Sequence, residues 1–230
     1  MLKNTKINKK NLQKIIKNIE KHSPHPDKVK IIAVTKNLSY MAIKSSEKNN
    51  IFNIGENRVQ ETKDKIKNQI KNKNTQIHFI GNLQSNKVSP AVALYDVIQS
   101  VDNEKTLKKI NNAAENKNKK QKIFLQIKIN KEPNQKGANK EEIKKLIKAA
   151  KKLSNIKIMG LMSIGPNTKN EKKIIKSFNY AKETQEEIQK IDKNCNYLSL
   201  GMSNDYVFAL KAGATHLRIG TSLFEKRNEK

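Results

Sequence analysis

Apolar residues along this chain recur at two spacings that take turns. Over residues 8–20, Leu12, Ile15, Ile16 and Ile19 fall on one face of a helix. The next apolar run, Ile31-Ile32-Ala33-Val34-Thr35, is short, continuous and β-branched, the pattern of a strand buried on both faces. Strand-like segments follow at 51–54, 76–80, 95–99, 122–129, 156–162, 197–200 and 215–219. Helical stretches lie between them at 40–49, 57–72, 85–93, 103–117, 139–153, 169–191 and 204–212. Strands and helices in this alternation predict an α/β protein, a (β/α)8 TIM barrel with an extra N-terminal helix. An open doubly wound sheet is the alternative. No Gly-x-Gly-x-x-Gly follows any strand, which counts against its dinucleotide-binding form. No linker rich in Pro, Gly or Ser divides the chain, so residues 1–230 are expected to form a single domain. The Lys/Asn tracts at 63–74 and 115–122 read as helix ends and exposed loops.

Composition changes this picture little. No segment reaches the ~18 apolar residues of a membrane span. Met1-Leu2-Lys3-Asn4 is basic but has no apolar region behind it, so no secretory signal is expected. The single cysteine, Cys195, excludes an internal disulfide and fits a reducing cytoplasm. The net charge of +27 raises a nucleic-acid partner. Its basic residues, however, are 45 Lys and 3 Arg, and aromatic residues make up 5%. Phosphate and base readers favour arginine's fork and aromatic stacking. Solvated lysine faces are expected, with no specific nucleic acid, and a basic nucleic-acid-binding barrel is the outlying alternative.

Candidate chemistry collects just past the strand ends, where parallel α/β proteins carry their sites. Lys36 follows the first strand. A desolvated lysine there can lose its proton and attack a carbonyl to form a Schiff base; the plain alternative is a lysine that snorkels to solvent. Gly55-Glu56-Asn57-Arg58 follows strand two, Gly81-Asn82-Leu83-Gln84-Ser85-Asn86-Lys87 strand three, and Ser163-Ile164-Gly165-Pro166 strand six. Gly201-Met202-Ser203-Asn204-Asp205 follows strand seven, and strand eight runs into Arg218-Ile219-Gly220-Thr221-Ser222. Ser203 is placed to cap the next helix, and Gly220-Thr221 lets the backbone approach an anion beside a hydroxyl. With Lys36 across the rim, the implied ligand has a carbonyl near one end and a phosphate at the other.

These residues carry a resemblance. Ala33-Val34-Thr35-Lys36, Gly55-Glu56-Asn57-Arg58-Val59-Gln60-Glu61 and the block from His78 to Lys87 resemble those of the pyridoxal-phosphate homeostasis protein family, a single-domain relative of the alanine racemase barrel. Gly160-Leu161-Met162, the block from Leu198 to Asp205, and Arg218-Ile219-Gly220-Thr221-Ser222-Leu223-Phe224 resemble it too. The resemblance runs from about residue 31 to 226. It implies that Lys36 carries pyridoxal 5′-phosphate (PLP) as an internal aldimine, that Ser203, Gly220 and Thr221 hold the phosphate, and that Arg218 meets the pyridine nitrogen. Asn57 and Met202 match residues lining the family's cofactor pocket. One departure stands out. In Asn130-Lys131-Glu132-Pro133-Asn134-Gln135-Lys136-Gly137, Gln135 occupies the place of an expected lysine, and Lys136 comes one place late.

Two functions follow from different classes. The first is a PLP carrier for homeostasis, supplying or buffering the cofactor, with no catalytic residue and PLP-dependent apoenzymes as partners. The second is a PLP-dependent amino-acid racemase, which needs two bases on opposite faces of the cofactor. In the racemase family the second base is a tyrosine from an additional β-domain, and that domain is not expected here. A monomer is expected. His22 and His25 read as surface residues, not metal ligands. His78 reads as a hydrogen-bonded barrel residue, His216 as packed, and Cys195 as core. Glu56 is open between general base and loop cap.

Overall fold

The computed structural model describes residues 5–67, 69, 72–130 and 135–224. Its strands are β1 (Lys30–Val34), β2 (Asn53–Glu56), β3 (Gln76–Phe79), β4 (Val97–Val101), β5 (Gln121–Gln126), β6 (Ile156–Met162), β7 (Tyr197–Ser199) and β8 (His216–Ile219). Each pairs in parallel with its predecessor and β8 closes onto β1, giving a closed eight-stranded barrel. Among the described residues eight α-helices accompany them: α1 (Lys9–His22), α2 (Tyr40–Lys48), α3 (Val59–Ile66), α4 (Val88–Leu94), α5 (Glu104–Glu115), α6 (Lys140–Ala150), α7 (Glu171–Gln189) and α8 (Tyr206–Lys211). The predicted (β/α)8 barrel with its extra N-terminal helix is the observed fold. Because all strands are parallel, the loops after them share one rim.

The chain's abundant asparagines serve partly as helix starts. Asn8, Asn103, Asn139 and Asn170 each accept an amide hydrogen bond at the N-cap of α1, α5, α6 and α7, and Glu142 completes a capping box with Asn139. Two strands begin later than their apolar runs suggest. Ile51 is buried but precedes β2, with its amide bonded to Ser46 O. Tyr95 is the C-cap of α4 and bonds Thr62 through its hydroxyl. Both fill the layer between barrel and helices from a connection, and a buried connection is as apolar as a strand. The shift puts Glu56 inside β2, not in the loop after it.

The core has two characters. Between barrel and helices it is continuous and aliphatic, built from residues such as Ile54, Ile77, Ile98, Leu107, Ile110 and Leu198. Inside the barrel, Val97, Phe124 and Met162 form a small apolar cluster. A polar group of His78, Gln99, Ser199, His216 and Arg218 is buried with them. Barrel interiors are more commonly filled with branched apolar residues, and this one departs from that pattern. Among the described residues no helix is long and apolar enough to cross a membrane.

Candidate functional site

Lys36 follows the last strand residue of β1 by two positions and lies exposed in a turn. The protein's own atoms do not bury it, contrary to the desolvated lysine the sequence suggested. Its neighbours, by contrast, are held firmly. Thr35 is buried, its amide donates to Gly55 O (3.0 Å), and its hydroxyl donates to Glu56 Oε1 (2.6 Å). Lys65 Nζ, from α3, donates to Thr35 O (2.9 Å) and to Glu56 Oε1 (2.5 Å). Glu61 Oε1 accepts from Lys65 (3.2 Å) and from the amide of Asn37 (2.6 Å), whose φ of 61° is left-handed. The Lys65 and Glu56 side chains are fully buried. Burial raises the Glu56 carboxyl pKa, and Lys65 and Thr35 oppose that rise.

Lys65 adds to the sequence reading of residues 63–74 as a helix end and exposed loop: it lies in the last turn of α3, as that reading has it, but is buried. Its position is legible afterwards: Thr62 and Lys65 lie three apart on the buried face of α3, and Glu61 stands four residues before Lys65. Glu56 is neither a free base nor a loop cap but the buried partner of Lys65.

The loops after β7 and β8 meet. Ser203 Oγ accepts from the amide of Ser222 (3.2 Å). Ser203 does not cap α8, as the sequence suggested; Asp205 occupies the N-cap position, and its Oδ1 accepts from the Met202 amide (2.5 Å). Ser203 instead begins a turn over residues 203–205 that precedes the helix. Gly201, at φ 83°, leads into that turn, and a Cβ there would stand 2.7 Å from Ala209 Cβ. Thr221 is exposed, and Ser222 Oγ is buried without a partner among the described residues. A Cβ on Gly220 would meet Val34 only at ordinary contact distance. The fold therefore does not require glycine at 220, and the missing side chain leaves room at the rim beside β1.

Asn57, just past β2, has its Oδ1 buried and without a partner among the described residues. Gly81 passes so close over it that a Cβ would sit 2.3 Å from Asn57 O. Two large apolar side chains stand exposed on adjacent loops of this rim, Ile164 after β6 (40%) and Met202 after β7 (39%).

Arg218 lies in β8 opposite Ile32 of β1. Its Nη1 donates to Ser199 O and Ser199 Oγ (2.8 Å each), and its Nη2 donates to Ser163 O (2.6 Å). Burial lowers its pKa to about 10, opposed by Asp205. The line continues downward through the barrel. Ser199 Oγ donates to Gln99 Oε1 (2.8 Å), and Gln99 Nε2 lies 2.9 Å from His78 Nδ1. His78 Nε2 lies 3.1 Å from Asn53 Oδ1. With the serine hydroxyl spent on Gln99 Oε1, the Gln99 amide is the donor to Nδ1 and the imidazole carries its hydrogen on Nε2. Burial drops the His78 pKa to about 3, so it stays neutral. His216 packs edge-on against Phe124 (5.3 Å) and Tyr197 (5.2 Å), and burial lowers its pKa too. Both histidines behave as the sequence suggested, while Asn53, Gln99 and Ser199 carry no sequence signal beyond inward strand positions.

Gln135 has a use that a lysine could not fill. Its Oε1 accepts from the amides of Ile129 (3.2 Å) and Asn130 (3.0 Å), and its Nε2 donates to Ile164 O (2.7 Å), joining the loops after β5 and β6. A lysine has no acceptor. Lys136 is exposed, and residues 131–134 of the same stretch lie outside the described residues. His25 is exposed and His22 half-buried, and Cys195 is buried just ahead of β7.

Residues 7–227 match the family described as alanine racemase, N-terminal domain. A pyridoxal phosphate homeostasis protein of Synechocystis sp. is 36% identical over 203 residues, covering 88% of this chain and 93% of the relative. The structure of PipY from Synechococcus elongatus PCC7942 without PLP superposes with a TM-score of 0.86 at 30% identity, covering 94% of this chain and 99% of PipY. The same protein with PLP bound gives 0.79 at 29% identity, over 92% and 100% of the two chains.

Proposed function

The chain belongs to the pyridoxal phosphate homeostasis protein family, built on the alanine racemase N-terminal domain, and from that footing we propose that it holds PLP covalently on Lys36 and buffers or hands on the cofactor. The observation that carries the proposal is the convergence on one rim of an accessible amine at the end of β1 and the Ser203–Ser222 junction between the neighbouring loops after β7 and β8. The remaining residues fit the same ligand. Asn57 Oδ1 and Ser222 Oγ are buried oxygens wanting a partner, which a hydroxyl or phosphate group can supply. Gly220 leaves space above Val34, and Ile164 and Met202 offer apolar walls to a flat ring. Lys36, Asn57, Met202, Ser203, Arg218, Gly220 and Thr221 are thus assigned to the cofactor, with Ser222 added.

PLP supplies an aldehyde that condenses with amines and a ring that can draw electrons from what is attached. The chain's residues favour holding over reaction. Arg218, its guanidinium fixed by Ser199 and Ser163, would donate a hydrogen bond to the ring nitrogen, a feature shared with the racemase barrel and neutral between the two readings. Among the described residues the tyrosines do not offer an evident second base opposite Lys36: Tyr95 and Tyr206 are engaged with Thr62 and Asn18, Tyr197 packs on His216, and Tyr180 lies on α7. Tyr40 sits on α2 beside Lys44. We read residues 1–230 as one PLP-binding domain working as a cytoplasmic monomer, with PLP-dependent apoenzymes as recipients and no specific nucleic acid.

The test is transfer. The protein loaded with PLP is mixed with a PLP-dependent apoenzyme, and both its visible absorption and the enzyme's activity are followed. Loss of the band as activity appears is the expected result. Cofactor that stays in place while the protein turns over an amino acid would replace this proposal with an enzyme.

A further inference from the structure

The backbone on both sides of Lys36 is pinned by one buried ionic group. Lys65 Nζ donates to the carbonyl of Thr35, and Thr35 Oγ1 donates to Glu56, itself paired with Lys65. Glu61 bridges the group to the amide of Asn37 on the other side, at the one left-handed residue of the turn. Thr35 is held against α3 by these bonds, and Lys36 follows it in the turn with its side chain exposed. Leu38 N also donates to Thr35 O (3.0 Å), so a single carbonyl ties Lys65 to the turn's own hydrogen bond.

A merely structural role explains this arrangement poorly. A buried ion pair is a weak source of stability, because desolvation offsets its attraction and apolar residues of similar volume commonly replace it without loss. Glu56 Oε2 is moreover left buried without a partner among the described residues. What the group provides that apolar packing cannot is a set of directed bonds to backbone atoms on either side of Lys36.

We propose that Glu56, Lys65 and Glu61 are the positioning group for Lys36, with Lys65 as its centre, fixing the turn so that the lysine is presented to its carbonyl partner in one orientation. The inference rests on the assignment of PLP to Lys36, but its first readout does not. In Lys65→Met and in Glu61→Ala, amide hydrogen exchange at Asn37 and Leu38 should quicken about tenfold or more, as expected for the loss of a hydrogen bond to a charged group, while amides of β7 and β8 keep their protection. Glu61→Gln keeps an oxygen for the Asn37 amide and should restore slow exchange. The second readout is PLP: release from the loaded protein should quicken about tenfold in Lys65→Met and Glu61→Ala and return toward normal in Glu61→Gln. Glu61 lies at the edge of the group, so its variants carry the test if Lys65→Met does not fold. Folded variants with unchanged exchange at Asn37 and Leu38, or with quickened exchange and unchanged PLP release, overturn the proposal. Quickened exchange in a protein whose wild type never links PLP to Lys36 refutes the PLP assignment instead, leaving the turn's anchoring in place.

Discussion

Arg218 Nη1 lies 2.8 Å from Ser199 Oγ, and that contact heads a hydrogen-bond line that runs through Gln99 and His78 to Asn53. The line has one consistent arrangement of hydrogens, with each donor facing an acceptor. Gln99→Leu should therefore strand the Ser199 hydroxyl and His78 Nδ1 together. Each stranded group costs about 1–3 kcal/mol, so chemical denaturation should show a loss within or above that range. The variant should also alter the visible absorption of bound PLP, since the serine that anchors Arg218 loses its own partner. A stability equal to wild type would mean that the line is not a connected unit.

The same histidine sets a pH dependence. The folded His78 titrates near 3 against an ordinary value of 6.5, and His216 is lowered as well. Between those limits the unfolded chain binds protons that the folded chain refuses. Stability should thus fall as pH drops from 6.5 toward 3, by an amount on the order of a few kcal/mol. Glu56, whose pKa burial raises, acts in the opposite sense over the carboxylate range. Urea melts at stepped pH check this, and His78→Gln should flatten the acid limb.

Phosphate recognition should separate PLP from pyridoxal. Ser203→Ala, Thr221→Val or Ser222→Ala removes a hydroxyl from the junction of the loops after β7 and β8. A charge-assisted hydrogen bond is worth about 1.5–3 kcal/mol, so each variant should bind PLP roughly 10- to 100-fold more weakly and bind pyridoxal almost as before. Equal losses for both ligands would place the phosphate elsewhere.

Much of this protein is legible in its sequence because barrel strands announce themselves twice, by apolar runs and by the glycine-rich turns after them. The residues proposed for the cofactor, Lys36, Ser203, Gly220 and Thr221, stand out in the sequence for that reason, at the ends of buried runs. The strand starts at Asn53 and Val97 were not, because Ile51 and Tyr95 are buried in connections and look like strand residues. Lys65 was hidden by composition: in a chain with 45 lysines, a buried one is not distinguished by its neighbours. Its partners, Glu56 in a strand and Glu61 in a helix, become partners only through the packing of α3 on the barrel. Ser203 as a helix cap failed for a local reason, the additional turn that Asp205 closes.

Racemisation should be absent above trace level. In deuterated water with saturating PLP, L-alanine should exchange its α-hydrogen slowly, if at all, and keep its configuration. A positioned acid or base is worth about 10²–10⁴-fold in rate, so the missing one should be plain. Rapid formation of D-alanine that Lys36→Ala abolishes would make the protein an enzyme.

The most direct measurement locates the covalent bond. PLP is added to the purified protein, the mixture is reduced with borohydride, and the pyridoxyl group is mapped by peptide mass spectrometry. The account predicts modification at Lys36, loss of the visible band in Lys36→Ala, and its retention in Lys87→Ala and Lys136→Ala. A pyridoxyl group found mainly on another lysine, or a band that survives Lys36→Ala, would contradict it.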